Sequence, residues 1–304
     1  MNEIIELSKK FISENDIDAI GVGVIDFAKR TYKAFEFDDL EENSLSKTPK
    51  VYFDLASLSK PLTNGIGFLD KQNEISQDMK LLLNHRGGLP AWGLLPKKGW
   101  EEIIESYPIK ESETLYSDYS ALRFMLEFNK NLKIDLHDMA SKYWHKELLF
   151  WKNLDESHKC IQNGFRNGKA NIGIVHDPNA FTIDKKVSHA GLFGTITGVC
   201  ETLLTIESSF ELTKLMDKDL SKSDNRFVNG WDRVEDPNNT LAGLGCSDRT
   251  FGHLGFTGTS IWIDCVKKTG HVILSNATKN YWYDKTSLNK LRRNLGKLVW
   301  EIQS

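Results

Sequence analysis

Cysteine is scarce in this chain. The 304 residues include only Cys160, Cys200, Cys246 and Cys265. They are widely spaced with no C-x-x-C, which argues against a disulfide framework and against a local zinc site. Long apolar runs are lacking as well, and nothing approaches the ~18 residues of a membrane-spanning helix. The opening Met-Asn-Glu-Ile-Ile-Glu-Leu-Ser-Lys-Lys has neither the basic start nor the apolar stretch of a secretory signal. The expected address is therefore the cytoplasm. No excess of one charge is present either. A formal net charge of −3 predicts no nucleic-acid surface and no patch for an anionic membrane.

What is present is ordinary for a globular chain: 40% hydrophobic and 27% charged residues, with eight tryptophans as core or cleft candidates. Apolar spacing predicts a helix over residues 3–14, and Ile20–Phe27 with Arg30–Phe37 reads as a β-hairpin. Gly21-Val22-Gly23 lacks the third glycine and the following helix of a dinucleotide loop. Short helices are expected near Ser57 and over Lys80–His85, the latter broken by Arg86-Gly87-Gly88-Leu89-Pro90. Longer ones are expected over Ser120–Asn129, Leu136–Trp151 and 196–218, with Lys152–Val175 irregular. Ser260–Val266 and His271–Asn276 form a second hairpin, and Thr286–Ile302 a final helix. Strands at both ends and helices between them predict an α/β chain of the α+β type. One antiparallel sheet would be built from both termini, flanked by helices and interrupted by a mostly helical insertion. The expected division of this single catalytic unit is 1–65 plus 245–304 for the sheet and 66–244 for the helical part, with the site at their junction.

The centre of the argument is Asp54-Leu55-Ala56-Ser57-Leu58-Ser59-Lys60-Pro61-Leu62-Thr63. Residues at i and i+3 share a helix face, so the Ser57 hydroxyl and the Lys60 ammonium would point into the same space. A weak acid beside a proton-handling group is the minimum for an activated serine. S-x-x-K also occurs at Ser44/Lys47 and Ser287/Lys290. Ser44 follows an acidic run and reads as a solvated loop, and Ser287 reads as the wet face of a terminal helix. Only Ser57 lies between apolar stretches, with Pro61 suited to a first helical turn.

Four further stretches stand with it: Leu81–Pro90, Tyr116-Ser117-Asp118, His176-Asp177-Pro178-Asn179-Ala180 with Ser188-His189-Ala190-Gly191-Leu192-Phe193-Gly194, and Gly252–Asp264. In order and spacing the chain resembles the serine β-lactamase and penicillin-binding-protein superfamily, in its class C-like branch of D-Ala-D-Ala carboxypeptidases and family VIII-type esterases. Ser57/Lys60 is similar to that family's S-x-x-K, Tyr116-Ser117-Asp118 to its Y-x-N, and His253-Leu254-Gly255 to its K-T-G. The resemblance implies a β-lactamase/transpeptidase-like fold and a serine hydrolase that acylates itself on a small ester or amide. Esterase, D-amino-acid peptidase or amidase, and muropeptide-type substrates stay open. It implies a small-molecule or peptide substrate, no cofactor and no metal. Ser57 would be the nucleophile, and Lys60 and Tyr116 the proton-handling groups, with either as the base. Backbone N–H groups of Ser57 and Phe256 would bind the oxyanion. Asp118, His253, Gly255 and Thr257 would bind substrate or tune the site.

The departures are informative. Asp118 replaces asparagine, and a carboxylate only accepts, so pairing with Lys60 would hold the lysine charged and favour Tyr116 as base. His253 replaces lysine and is a weaker anchor for a substrate carboxylate, which argues against efficient β-lactam turnover. Plainer roles exist for each residue. Ser57 alone is a helix N-cap, Asp118 alone caps the Ser120–Asn129 helix, and His253 bonds backbone. His85 braces the loop before Gly87-Gly88, and His176, Asp177 and His189 staple a loop rather than bind metal. The alternative function is a non-catalytic relative whose cleft binds a cell-wall fragment or partner.

Overall fold

The computed structural model describes residues 1–38, 44–46, 50–280 and 284–302. Its main sheet has eight strands: β1 (Ala19–Asp26), β2 (Thr31–Asp38), β3 (Ser44–Ser46), β4 (Phe227–Val228), β5 (Trp231–Arg233), β6 (Thr250–Gly255), β7 (Thr259–Asp264) and β8 (Thr269–Ser275). Their order is β3-β2-β1-β8-β7-β6-β5-β4, antiparallel throughout. The two termini meet at β1 and β8, where Val22 lies opposite Ile273.

Alternation of side chains across β1 explains how both faces are covered. Ile20, Val22 and Val24 join a core built with the N-terminal helix (Asn2–Asn15) and the C-terminal helix (Thr286–Ile302), including Ile4, Phe11, Leu291 and Trp300. Gly21 and Gly23 face the Ile196–Phe210 helix on the other side. A Cβ at Gly21 would lie 3.0 Å from Ile196 Cβ, and one at Gly23 would collide with Cys200 Sγ. The two glycines let helix and sheet close up. Among the described residues no helix is long and apolar enough to cross a membrane.

Several local expectations are corrected. Ser44–Ser46 is an edge strand on β2 rather than a loop, and Lys47 lies outside the described residues. The Leu136–Trp151 helix stops at Ala140; after a 3-10 turn, Leu148–Phe150 pairs with Leu192–Gly194 as a strand. Leu148 and Phe150 point into the core, so an apolar run that fits a helix is used at period two. Lys152–Val175 contains a hairpin, Gln162–Arg166 with Lys169–Ile172. The helix near Ser57 is composite: a 3-10 turn at Ala56–Leu58, a wide π segment at Pro61–Gly65 and an α segment at Ile66–Asp70.

Candidate active site

Asp54 is the anchor on which the Ser57 turn is built. Phe53 and Asp54 pair with Gly194 and Phe193 in a three-stranded sheet completed by Leu148–Phe150. The chain then turns through Ala56, which has φ +46°. For an L-residue that conformation costs roughly 1–2 kcal/mol. The buried Asp54 carboxylate opposes this cost by accepting the Ala56 N–H at 2.9 Å. Its other oxygen accepts the His176 N–H at 2.6 Å and Asn163 Nδ2 at 2.8 Å. Burial pushes the Asp54 carboxyl up to about 7, against the pull of those donors. Sequence reasoning passed over Asp54 and Asn163; their only signal was an acidic residue closing an apolar run before the serine.

The following residues fix Lys60. Ser59 Oγ accepts the Leu192 N–H at 3.1 Å, and Thr63 Oγ1 donates to Ser59 O at 2.6 Å and Ser188 O at 3.0 Å. Asn64 Nδ2 and Ser188 Oγ both donate to Ala121 O, at 3.1 and 2.9 Å. Lys60 is thereby locked between the 188–192 segment and the Asp118–Leu132 helix, with 3% of it exposed. Its ammonium donates to Ser57 Oγ at 2.9 Å and to His189 O at 3.0 Å. Asp118 Oδ1 lies 2.7 Å away as an ion-pair partner. Burial pulls the Lys60 pKa down, but Asp118 and Tyr116 outweigh it, so the net shift is upward. Lys60 is held as the ammonium.

Tyr116 lies over this pair, with Lys60 Nζ 5.0 Å from its ring centroid. Burial raises its pKa, Lys60 opposes that and Asp118 adds to it, while the neighbouring Ser57 also favours its ionised form. The ring is held by His85, Phe227 and His253, with centroids at 4.8, 5.7 and 5.8 Å. His85 sits at φ +56°, and its Nδ1 accepts the Ser117 N–H at 3.2 Å, so it braces the Tyr116 segment. Asp118 is not the helix cap. Ser117 takes that part, its Oγ accepting the Ser120 N–H at 2.8 Å, which leaves the Asp118 carboxylate for Lys60.

His253, on β6, is 3% exposed, and its Nδ1 bonds Leu254 O at 2.9 Å. Since a carbonyl only accepts, Nδ1 carries the proton and Nε2 a lone pair. Burial and the Lys60 charge push its pKa down to about 3, so the ring is neutral. At Gly255 a Cβ would collide with the Thr259 hydroxyl and come within 2.6 Å of Leu55 O. Glycine thus lets β6 lie against the Ser57 turn. Thr257 faces inward: its hydroxyl donates to Asp54 O at 2.5 Å, while Thr259 donates to Leu55 O at 3.1 Å. Those bonds set Phe256, between Gly255 and Thr257, beside the Ser57 turn.

Asp177 and His189 staple the 176–190 loop through a 2.9 Å contact, and Asp177 also caps the Pro178–Ile183 helix through the Ala180 N–H. Burial raises and His189 lowers the Asp177 carboxyl, to a net of about 2. One ligand atom each from Asp118, Asp177 and His189 lie within 4.8 Å of one another, a spacing compatible with a metal ion. The cation these groups face is the Lys60 ammonium. Of the other serine–lysine motifs, Ser287 and Lys290 are exposed on the terminal helix, and Ser44 lies on β3.

With the geometry in place, comparison with known proteins is informative. A protein of Escherichia coli K12 named "Putative D-alanyl-D-alanine carboxypeptidase" is 28% identical, with 69% of this chain and 60% of that protein covered. Among solved structures, a class C β-lactamase from Rhodobacter sphaeroides matches over 100% of both chains, with TM-score 0.61 and 16% identity. The chain is thus similar in sequence to that carboxypeptidase and in fold to that β-lactamase. Its β-lactamase-like fold is also that of unliganded simvastatin synthase from Aspergillus terreus, at TM-score 0.66, 12% identity and coverage of 99% and 98%. No family model matches the chain. The chain spans about 60% of the length of the curated relatives it matches.

Proposed function

We propose that this protein is a serine hydrolase that forms an acyl-enzyme through Ser57 on a small ester or amide. The observation that carries the reading is the 2.9 Å contact of Ser57 Oγ with a buried, ion-paired Lys60. Ser57 Oγ attacks the carbonyl carbon, and its proton passes to Tyr116 reacting in its phenolate form, because Lys60 as an ammonium has no lone pair to offer. The Lys60 ammonium stabilises the Tyr116 phenolate, which becomes the neutral phenol on taking that proton. The N–H groups of Ser57 and Phe256 receive the oxyanion, a contribution of about 3–4 kcal/mol per donor in comparable sites. Collapse expels the alcohol or amine, which takes back the proton, and water then attacks the acyl-Ser57 ester by the same route.

Turnover of p-nitrophenyl esters and acyl-D-amino-acid peptides by the purified protein, abolished in Ser57→Ala, is the expected result. A second reading, a cleft that only binds, is favoured by the neutral His253 and by Asp118 at an asparagine position. Ligand binding unchanged in Ser57→Ala, with no turnover in the unaltered protein, would support it instead.

A further inference from the structure

Asp177 and His189 are far from Lys60 in the chain, yet the fold brings both to it. His189 O accepts from the Lys60 ammonium at 3.0 Å. The residues on either side are tied down by bonds of their own: Ser188 O accepts from Thr63, and the Leu192 N–H donates to Ser59. His189 is tied through its ring, which is buried and reaches Asp177 Oδ1 with Nε2 at 2.9 Å. A carboxylate only accepts, so Nε2 carries a proton. Nδ1 is buried with no hydrogen-bond partner among the described residues. The Asp177 contact is thus the ring's one polar anchor there, and it fixes how residue 189 presents its carbonyl.

Asp177 is itself firmly held. Its Oδ1 also accepts the Ala180 N–H at 2.7 Å, at the start of the Pro178–Ile183 helix. Beside it, Arg166 Nη2 donates to Val175 O and His176 O at 3.0 and 2.9 Å. The groups that face Asp177 are His189, Lys60, Arg166, the His176 imidazole, the Asp54 carboxyl and Asp118. Burial raises its carboxyl, but His189, the Ala180 N–H and Lys60 bring it to a net of about 2, so it is ionised at neutral pH. Lys60 therefore has two carboxylates at hand. Asp118 touches it at 2.7 Å, and Asp177 comes from a different segment, with one ligand atom each of Asp118, Asp177 and His189 within 4.8 Å of one another. Each negative charge within reach opposes the burial that would otherwise strip Lys60 of its proton.

We infer that Asp177 is a positioning residue of the Ser57 centre: through His189 it aims the carbonyl that holds Lys60, and its charge is a second counter-ion for the Lys60 ammonium. This deepens the hydrolase reading above and rests on it, since an ammonium at Lys60 is what leaves the Ser57 proton to Tyr116. Asp118, in direct contact, supplies the larger share. Asp177 supplies what remains when Asp118 is neutralised.

Asp177→Asn isolates the charge, because an asparagine oxygen still accepts from His189 Nε2 and the Ala180 N–H and caps a helix as well as aspartate does. The test reads Lys60 itself, by NMR of protein carrying nitrogen-15 at lysine Nζ, its signal being the one absent from Lys60→Arg. Titration midpoints are compared in Asp118→Asn and in the double variant Asp118→Asn, Asp177→Asn. The second is expected about one pH unit or more below the first, the low end of the effect of one opposite charge. With Asp118 in place, Asp177→Asn is expected to move the rise of kcat/KM for an uncharged ester to lower pH, by less than Asp118→Asn does. Coincident midpoints overturn the inference, including an ammonium kept by both variants at the highest pH the fold survives. So does a loss of thermal stability in Asp177→Asn with no change in titration. His189→Ala is expected to slow fluorophosphonate labelling of Ser57 about tenfold or more, and His189→Gln, which keeps an N–H for Asp177, to restore part of that rate. Equal rates in all three proteins would remove the positioning role. The NMR midpoints do not depend on turnover, so labelling of Ser57 in the unaltered protein reads the hydrolase proposal separately.

Discussion

Lys60 Nζ and Asp118 Oδ1 stand 2.7 Å apart in a site from which Lys60 is almost wholly shielded from water. This one contact sets the protonation of the centre, because burial alone would favour a neutral lysine and the carboxylate reverses that.

Asp118→Asn therefore lowers the pKa of Lys60 and also of Tyr116, which the carboxylate raises as well. With Tyr116 acting in its ionised form, kcat/KM of the unaltered protein climbs with pH, and the variant's climb occurs at lower pH. Profiles for one uncharged ester check this, and superimposable profiles would show that Asp118 does not tune the pair.

Lys60→Ala abolishes activity and also destabilises the fold. Removing one member of a buried ion pair typically costs about 3–5 kcal/mol, because the partner charge is stranded. Ser57→Ala leaves the Lys60–Asp118 pair intact and stays close to the parent in urea unfolding.

At Asp54 the expected damage is to both stability and presentation of Ser57. Asp54→Ala strands the N–H groups of Ala56 and His176 and the Asn163 amide. Each unsatisfied buried donor costs about 1–3 kcal/mol, and left-handed Ala56 loses its tether. Denaturant midpoint and ester turnover should fall together.

Gly255→Ala separates the two. The new methyl group meets Leu55 O and the Thr259 hydroxyl, so β6 must move away from the Ser57 turn. Loss of turnover exceeding the loss of stability is the expected outcome, read from kcat/KM and melting temperature on one preparation.

Acid should weaken the fold through its buried neutral histidines. Burial lowers His271 and His137 to about 4 and His253 to about 3, and His85 well below its usual value. A depressed histidine stabilises fully above the unfolded pKa near ~6.5, and that stability is lost as pH falls toward the folded value, about 3 kcal/mol for a site such as His271. Glu36 and Asp54, raised to about 7 by burial, act in the opposite sense and offset part of the loss. Unfolding free energy should fall between pH 6.5 and 4, and His271→Gln should flatten the slope.

Much of this was legible in the chain, and the rest was hidden for physical reasons. The terminal hairpins and the Thr286–Ile302 helix follow from periodicity, since each lays one apolar face on a core. Ser57, Lys60, Tyr116 and Asp118 converge as the ordered motifs imply. Leu148–Phe150 was misread because a short apolar run has no period of its own, and the partner that makes it a strand lies more than forty residues away at Leu192–Gly194. Asp54 was invisible for a related reason. Its importance depends on partners such as His176 and Asn163, which only the fold brings to it.

The central claim is that Ser57 is a nucleophile activated by its buried partners. The most direct measurement is mass spectrometry of the folded protein after reaction with an uncharged fluorophosphonate, with the adduct mapped by peptide. The account predicts one stoichiometric adduct on Ser57, absent in Ser57→Ala and slowed in Lys60→Ala and Tyr116→Phe. A folded protein that takes up no label, or takes it on another residue, would contradict it.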